Sequence, residues 1–168
     1  MSRTFDAIMG SLDARMAVVT TADARERAGC LVGFHVQSSI DPPRYTIWLS
    51  KANHTYRVGL RATHFGIHFL TTDDLEVAEL FGTRTGETVD KFRDLPLGTG
   101  AGGVPVLRRC PHRLIVRRIA QLDDGGDHVC ITTEPVEEHS TGRFTPLRLS
   151  DVQHLQPGHD ADERTPIE

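Results

Sequence analysis

The sequence predicts a mainly β domain, a small antiparallel barrel with two or three covering helices. Short β-branched or alternating apolar runs recur along most of the chain, each bounded by clusters of Gly, Pro, Asp or Asn. Helical periodicity is confined to isolated stretches. No regular alternation of strand and helix appears, which argues against a doubly wound parallel sheet, and no repeat of fixed period is visible.

Taken in order, Phe5, Ile8, Met9 and Leu12 fall at i, i+3, i+4 and i+7. They form one stripe of a short amphipathic helix, expected to cover a barrel end or edge. Residues 16–21 (MAVVTT) read as a strand, residues 23–27 as a charged turn, and residues 29–37 as a second extended run, together a hairpin. Asp41-Pro42-Pro43 breaks regular structure before a strand over 44–49 (RYTIWL). Residues 50–55 are a polar connection to a short helix over 56–62, and residues 65–70 are another strand. Thr72, Asp73 or Asp74 then caps a helix carrying Leu75, Val77, Ala78, Leu80 and Phe81. Residues 95–105, with a proline at either end, read as a flexible loop. Strands over 113–119 and 128–136 are joined by the turn Asp124-Gly125-Gly126, and residues 144–149 suit one more strand. The domain is expected over residues 1–156, followed by a polar, disordered tail over 157–168.

With 168 residues, 38% of them hydrophobic, the chain fits one domain, which buries roughly 70% of its unfolded surface and needs no disulfide or metal staple. A formal charge of −4, from 19 basic and 23 acidic residues, argues against a nucleic-acid partner. No apolar run is of membrane length, and residues 1–16 lack the apolar core of a signal peptide. A cytoplasmic enzyme or binding domain is the expectation, with no membrane association.

Cys30, Cys110 and Cys130 are odd in number and form no CxxC pair, so they read as reduced, mostly buried small hydrophobes rather than reactive thiols. Nine histidines raise the question of a metal. His64 and His68 are four apart, but Phe65, Ile67 and Phe69 alternate as in a strand. There, positions four apart lie about 13 Å from each other, too far for one zinc ion. No metal is expected. Gly98, Gly100 and Gly103 match GxGxxG formally, yet Pro96 precedes and Pro105 follows, without the strand and helix a dinucleotide fingerprint needs. Asn53-His54-Thr55 is a glycosylation sequon in form only, since no secretory signal accompanies it.

An ordered set of short signals carries a family resemblance. It runs VVTT, Gly29, Ser38-Ser39-Ile40-Asp41-Pro42-Pro43, Asn53-His54-Thr55, Leu80-Phe81, Asp90-Lys91-Phe92, Gly103-Val104-Pro105-Val106-Leu107 and Gly126-Asp127-His128. Over about residues 5–155 the chain resembles the flavin reductase-like proteins with an FMN-binding split β-barrel, many of them reductase components of two-component flavin monooxygenases. The resemblance implies a homodimer with FMN, or FAD, between subunits, and hydride transfer from NADH or NADPH without a Rossmann domain. It also implies a partner monooxygenase that receives the reduced flavin.

Three segments would carry the flavin. Ser50, Lys51, Ala52, Asn53, His54 and Thr55 lie between a strand and a helix start, where a phosphate finds amide, hydroxyl and ammonium donors. The same residues also suit a plain N-cap by Asn53 or Thr55. Val32, Gly33, Phe34, His35, Val36, Gln37, Ser38 and Ser39 match the strand and turn lining the ring and ribityl chain, with Gly33 permitting close approach; an ordinary edge strand is the alternative. His128 matches the histidine that contacts nicotinamide, as a positioning group and a proton source, or else it serves the turn. Lys91 and Phe92 match a segment that approaches the flavin from the partner subunit, or they are a solvated lysine and a core anchor. The chain departs from the family at His35, where Ser, Thr or another aromatic is usual. It departs again at Pro146-Leu147-Arg148-Leu149-Ser150-Asp151, which lacks the family's aromatic and glycine. Two other readings stay open: an oxidoreductase of the same fold using the deazaflavin F420 or another bound flavin, and a non-enzymatic flavin- or haem-binding barrel.

Overall fold

A computed structural model describes residues 2–83 and 89–155. Strand β1 (Ala17–Ala22) is buried on both faces, so its sequence is an almost continuous apolar run rather than an alternation. Ala17 and Val19 face one cluster with Cys30, Ile47, Phe65, Ile67 and Val129. Met16 and Val18 face another with Leu70, Phe81, Phe92 and Leu107.

The remaining main strands are β2 (Arg27–Val32), β3 (His35–Ser39), β4 (Arg44–Ser50) and β5 (His64–Phe69), with a two-stranded ribbon, β6 (Leu97–Thr99) and β7 (Pro105–Leu107), then β8 (Arg113–Leu122) and β9 (His128–His139). β1 and six of these form one antiparallel sheet in the order β2-β1-β5-β8-β9-β4-β3. β2 and β3 lie at opposite edges, yet only Gly33 and Phe34 separate them. Three residue steps reach about 10 Å at most. The sheet therefore curls into a half-barrel whose edges nearly meet, and the Trp48 amide of β4 donates to the Phe34 carbonyl at 3.0 Å.

This curl corrects the expectation of one extended run over 29–37, which is two strands at opposite sheet edges. Residues 95–105 are not the featureless loop expected. They form the β6–β7 ribbon around a 3-10 turn, Ala101–Gly103. Gly102 there has φ 68°, and a Cβ on it would lie 2.4 Å from the His64 ring. No α-helix follows these glycines, so the formal GxGxxG has no phosphate-binding helix end. Residues 144–149 form no strand. Pro146 lacks an amide hydrogen, and the segment makes only isolated bridges, Thr71 to Pro146 and Arg15 to Arg148, before a helical turn.

Four helices are present among the described residues, where two or three were expected: α1 (Arg3–Leu12), α2 (His54–Gly59), α3 (Leu75–Thr83) and α4 (Leu149–Val152). α3 covers the second cluster with Val77, Ala78 and Phe81, and Gly29 of β2 makes room for it, since a Cβ there would lie 2.8 Å from the Phe81 ring. The Asp74 carboxylate turns back to accept from the Thr71 amide and hydroxyl rather than capping the α3 amides. Among the described residues α1 buries none of its own side chains: Phe5, Ile8, Met9 and Leu12 are 55, 52, 42 and 67% exposed. The three cysteines are free; Cys30 and Cys110 are buried, and burial pushes the Cys110 thiol up to about 12. The tail expected over 157–168 lies outside the described residues.

Candidate functional site

The curl brings the β2–β3 connection, the β4–α2 corner and the start of β9 to one place. Val32, Gly33, Phe34, Ser50, Asn53 and His128 all border a cavity of about 290 Å³. Its apolar wall includes Met16, Leu31, Trp48 and Leu149. Strand register explains the meeting: Ser50 at the end of β4 pairs with His128 at the start of β9.

Lysine 51 fastens this corner. Its amide donates to the Asp127 carbonyl at 2.9 Å and its ammonium to Asp123 at 2.8 Å, tying the tip of the β8–β9 hairpin to the loop before α2. That ammonium holds the Asp123 carboxyl below the usual carboxylate range. His128 Nδ1 bonds Asp127 Oδ1 at 2.7 Å, so Nδ1 carries the hydrogen, and the residue borders the cavity. The Phe34 ring lies against His128 with centroids 4.9 Å apart.

At the corner the capping geometry is explicit. Asn53 Oδ1 accepts from the Thr55 amide, the Asn53 amide donates to the Ser50 carbonyl, and the Ala52 amide donates to Ser50 Oγ. Ala52 and Thr55 are buried. His54 pairs through Nε2 with Glu26 at 3.1 Å. Ser50 Oγ and the Lys51 ammonium are the side-chain donors this corner can turn toward an anion.

His35, Val36 and Gln37 line a second, adjoining cavity of about 680 Å³. The two cavities share Ala14, Met16 and Gly33. His35, the departure from the family pattern, is locked in place. Its Nε2 can only donate to the Arg15 carbonyl (2.8 Å), so Nδ1 accepts from the Tyr45 hydroxyl (2.7 Å). Burial lowers the His35 pKa and pushes Tyr45 up to about 12, so the neutral chain is the stable one.

Eight sequence-predicted residues border neither cavity: Lys51, Ala52, His54 and Thr55 at the corner just described, and Ser38, Ser39, Lys91 and Phe92 farther along the chain. Ser38 Oγ accepts from Thr46 Oγ1 on the β4 side, and the Ser39 carbonyl accepts from Gln37. Lys91 and Phe92 border a different cavity, of about 750 Å³, beside the β1–β2 turn and the β6–β7 ribbon. Within the chain Lys91 is a buried fastener: Nζ donates to the carbonyls of Gly29 and Phe81, both at 3.1 Å, and desolvation lowers its pKa. Phe92 is buried edge-on against Phe81. Sequence reasoning missed Met16, Trp48, Cys30 and Leu149 in the first cavity and Arg15, Tyr45, Phe69 and Arg148 in the second. The signal for Trp48 was its odd position between the buried Ile47 and Leu49; the others come from chain segments that only the curl assembles.

The flavin reductase like domain model matches residues 9–149. This chain belongs to the flavin reductase-like family. It is 32% identical over 133 residues, 79% of its length and 74% of the relative's, to a protein of Agrobacterium fabrum described as FMN reductase (NADH) SmoA. A flavin reductase domain protein from Arthrobacter sp. FB24 shares its fold with a TM-score of 0.76 and 25% identity, covering 86% of this chain and 88% of that one. The flavin reductase HpaC, solved with NADP+, superposes with a TM-score of 0.76 at 24% identity over 88% of this chain and 92% of its own. The flavin reductase-like chain is thus an oxidoreductase on a curled antiparallel half-barrel. Among the described residues no helix is long and apolar enough to cross a membrane.

Proposed function

We propose that this flavin reductase-like chain binds FMN in the cavity between Gly33, Trp48 and His128 and reduces it with NADH or NADPH, supplying reduced flavin to a partner monooxygenase. The observation that carries the reading is the convergence of Val32, Gly33, Phe34, Ser50, Asn53 and His128, drawn from three distant segments, on one cavity. The name FMN reductase (NADH) of the relative 32% identical to this chain supports the same substrates.

The donor set suits a flavin. An apolar wall of Met16, Leu31, Trp48 and Leu149 fits a flat ring system, and the volume matches a ring rather than a whole nucleotide. Gly33 leaves space: a Cβ there would meet Met16 Sδ at 3.5 Å, an ordinary contact, so the backbone is open to a ring face. Ser50 and Lys51 would hold the phosphate, Lys51 by exchanging Asp123 for it. Flavin, when bound, accepts the hydride and so carries the redox chemistry. The chain's part is to exclude water, align the donor against the ring and hold a proton. His128, oriented by Asp127 and bordering the cavity, is the residue for the last two tasks.

The same reading makes the protein a homodimer. The exposed stripe of α1, together with Phe34, Val36 and Ile40 at 58, 50 and 85% exposure, is more apolar surface than a monomer ordinarily leaves in water. Leu12 and Val36 border one cavity, so the helix stripe and the β3 edge are continuous there. Anaerobic stopped-flow absorbance with NADH and with NADPH tests the function. Bleaching of the flavin band by either donor is expected, and bleaching by neither contradicts it.

A further inference from the structure

The second cavity contains an electrostatic arrangement that the flavin site does not use. Arg15 and Arg148 stand directly opposite each other in an isolated antiparallel bridge, where side chains begin about 5 Å apart and like charges repel. Both border the cavity of about 680 Å³. Among the described residues neither guanidinium has a carboxylate within 4 Å. The Arg148 guanidinium donates to the Asp13 carbonyl, and the Asp13 carboxylate is taken by the Ser150 amide and hydroxyl. The rings of Tyr45 and Phe69, which pack edge to face with centroids 5.6 Å apart, border the same cavity. The Asp13 carboxylate also borders the cavity and feels the Arg148 charge, but its oxygens are spent on Ser150. Two guanidiniums without a direct ion pair, beside aromatic rings, suit a planar group that carries a phosphate.

We infer that this cavity seats the adenosine 2′-phosphate of the nicotinamide donor, making Arg15 and Arg148 the residues that select NADPH over NADH. The inference rests on the flavin reductase reading, because the cavity adjoins the candidate flavin cavity, with Ala14, Met16 and Gly33 bordering both. A donor that extends from one to the other places its redox end near His128 and its phosphorylated end between the arginines. His35 and Tyr45 also border it, and Tyr45 spends its hydrogen on His35, so its hydroxyl is not a donor to a ligand there.

The test combines rates with binding. Wild-type protein is expected to have the higher kcat/KM for NADPH. Arg15→Gln should lower the NADPH-to-NADH ratio of kcat/KM about tenfold, and Arg148→Lys, which keeps the charge and loses the fork, by less. By calorimetry, adenosine 2′,5′-bisphosphate should bind wild type more tightly than adenosine 5′-monophosphate, with the difference lost in Arg15→Gln. A ratio that both variants leave unchanged, an equal loss with both donors, or no preference for the bisphosphate overturns the assignment. Failure of flavin reduction with either donor would instead remove the function itself, while the calorimetric comparison still decides the phosphate seat.

Discussion

The Phe34 ring and the His128 imidazole meet at 4.9 Å, tilted by 55°, although 94 positions separate them in the chain. The contact joins the short β2–β3 connection to the first residue of β9 and closes one side of the candidate flavin cavity. His128 is therefore positioned from two sides, by the Phe34 ring and by the Asp127 carboxylate. His128→Ala is expected to slow hydride transfer to flavin by about 10- to 100-fold, with a smaller change in flavin affinity, because misplacement rather than lost binding is the main effect. Single-turnover stopped-flow measurements separate the two; a variant reducing flavin at the wild-type rate would deny His128 its role.

Gly33→Ala isolates the ring contact from the fold. The protein itself has room for the methyl group, 3.5 Å from Met16 Sδ. Thermal stability should stay within about 0.5 kcal/mol of wild type, as for substitutions without a steric cost, whereas FMN affinity should fall. Equal affinity by titration calorimetry would place the flavin elsewhere.

Histidine 68 makes stability depend on pH. It is fully buried and neutral; Nε2 accepts from the Leu107 amide at 3.0 Å, so Nδ1–H donates to the Val18 carbonyl, joining β1, β5 and β7. Desolvation pushes its pKa down from 6.5 to about 4. The folded pKa lies below the unfolded value, so the unfolded chain binds the extra proton first. Stability is full above about pH 6.5 and is lost progressively as pH falls toward 4. In chemical denaturation at pH 7 and pH 5, His68→Gln should lose less stability over that interval than wild type. Identical pH dependence in the two proteins would assign the effect to other groups.

Lysine 91 distinguishes a structural part from a flavin-binding one. Lys91→Met leaves the carbonyls of Gly29 and Phe81 without their donor and should cost about 1–3 kcal/mol, read by urea denaturation. FMN affinity of the folded variant should change little. A stable variant that has lost FMN would restore the reading in which this segment reaches the flavin from a partner subunit.

Much of this architecture was legible in the sequence because local chemistry decides it. The Asp-Gly turn between β8 and β9, the strand at β1 and the strand through His64 and His68 follow from turn residues, β-branched runs and side-chain period. The break at Gly33 and Phe34 was not legible, since nothing in GCLVGFHVQ announces that its halves belong to opposite sheet edges; the closure of the sheet imposes that. The exposed stripe of α1 shows the same limit: periodicity identifies a helix with an apolar face, but the surface that covers it is not part of the helix's own pattern. Among the residues that border the two candidate cavities, Val32, Gly33, Phe34, His35, Val36, Gln37, Ser50, Asn53 and His128 lie in segments the sequence singles out, whereas Arg15 and Arg148 do not. Their pairing arises only when the chain ends meet.

The most direct measurement of the central claim uses Trp48, the only tryptophan and a wall of the candidate flavin cavity. Titration with FMN should quench its emission saturably, at the affinity found by calorimetry, and Gly33→Ala should shift both curves together. FMN that binds by calorimetry without altering Trp48 emission, or that does not bind at all, would contradict the account.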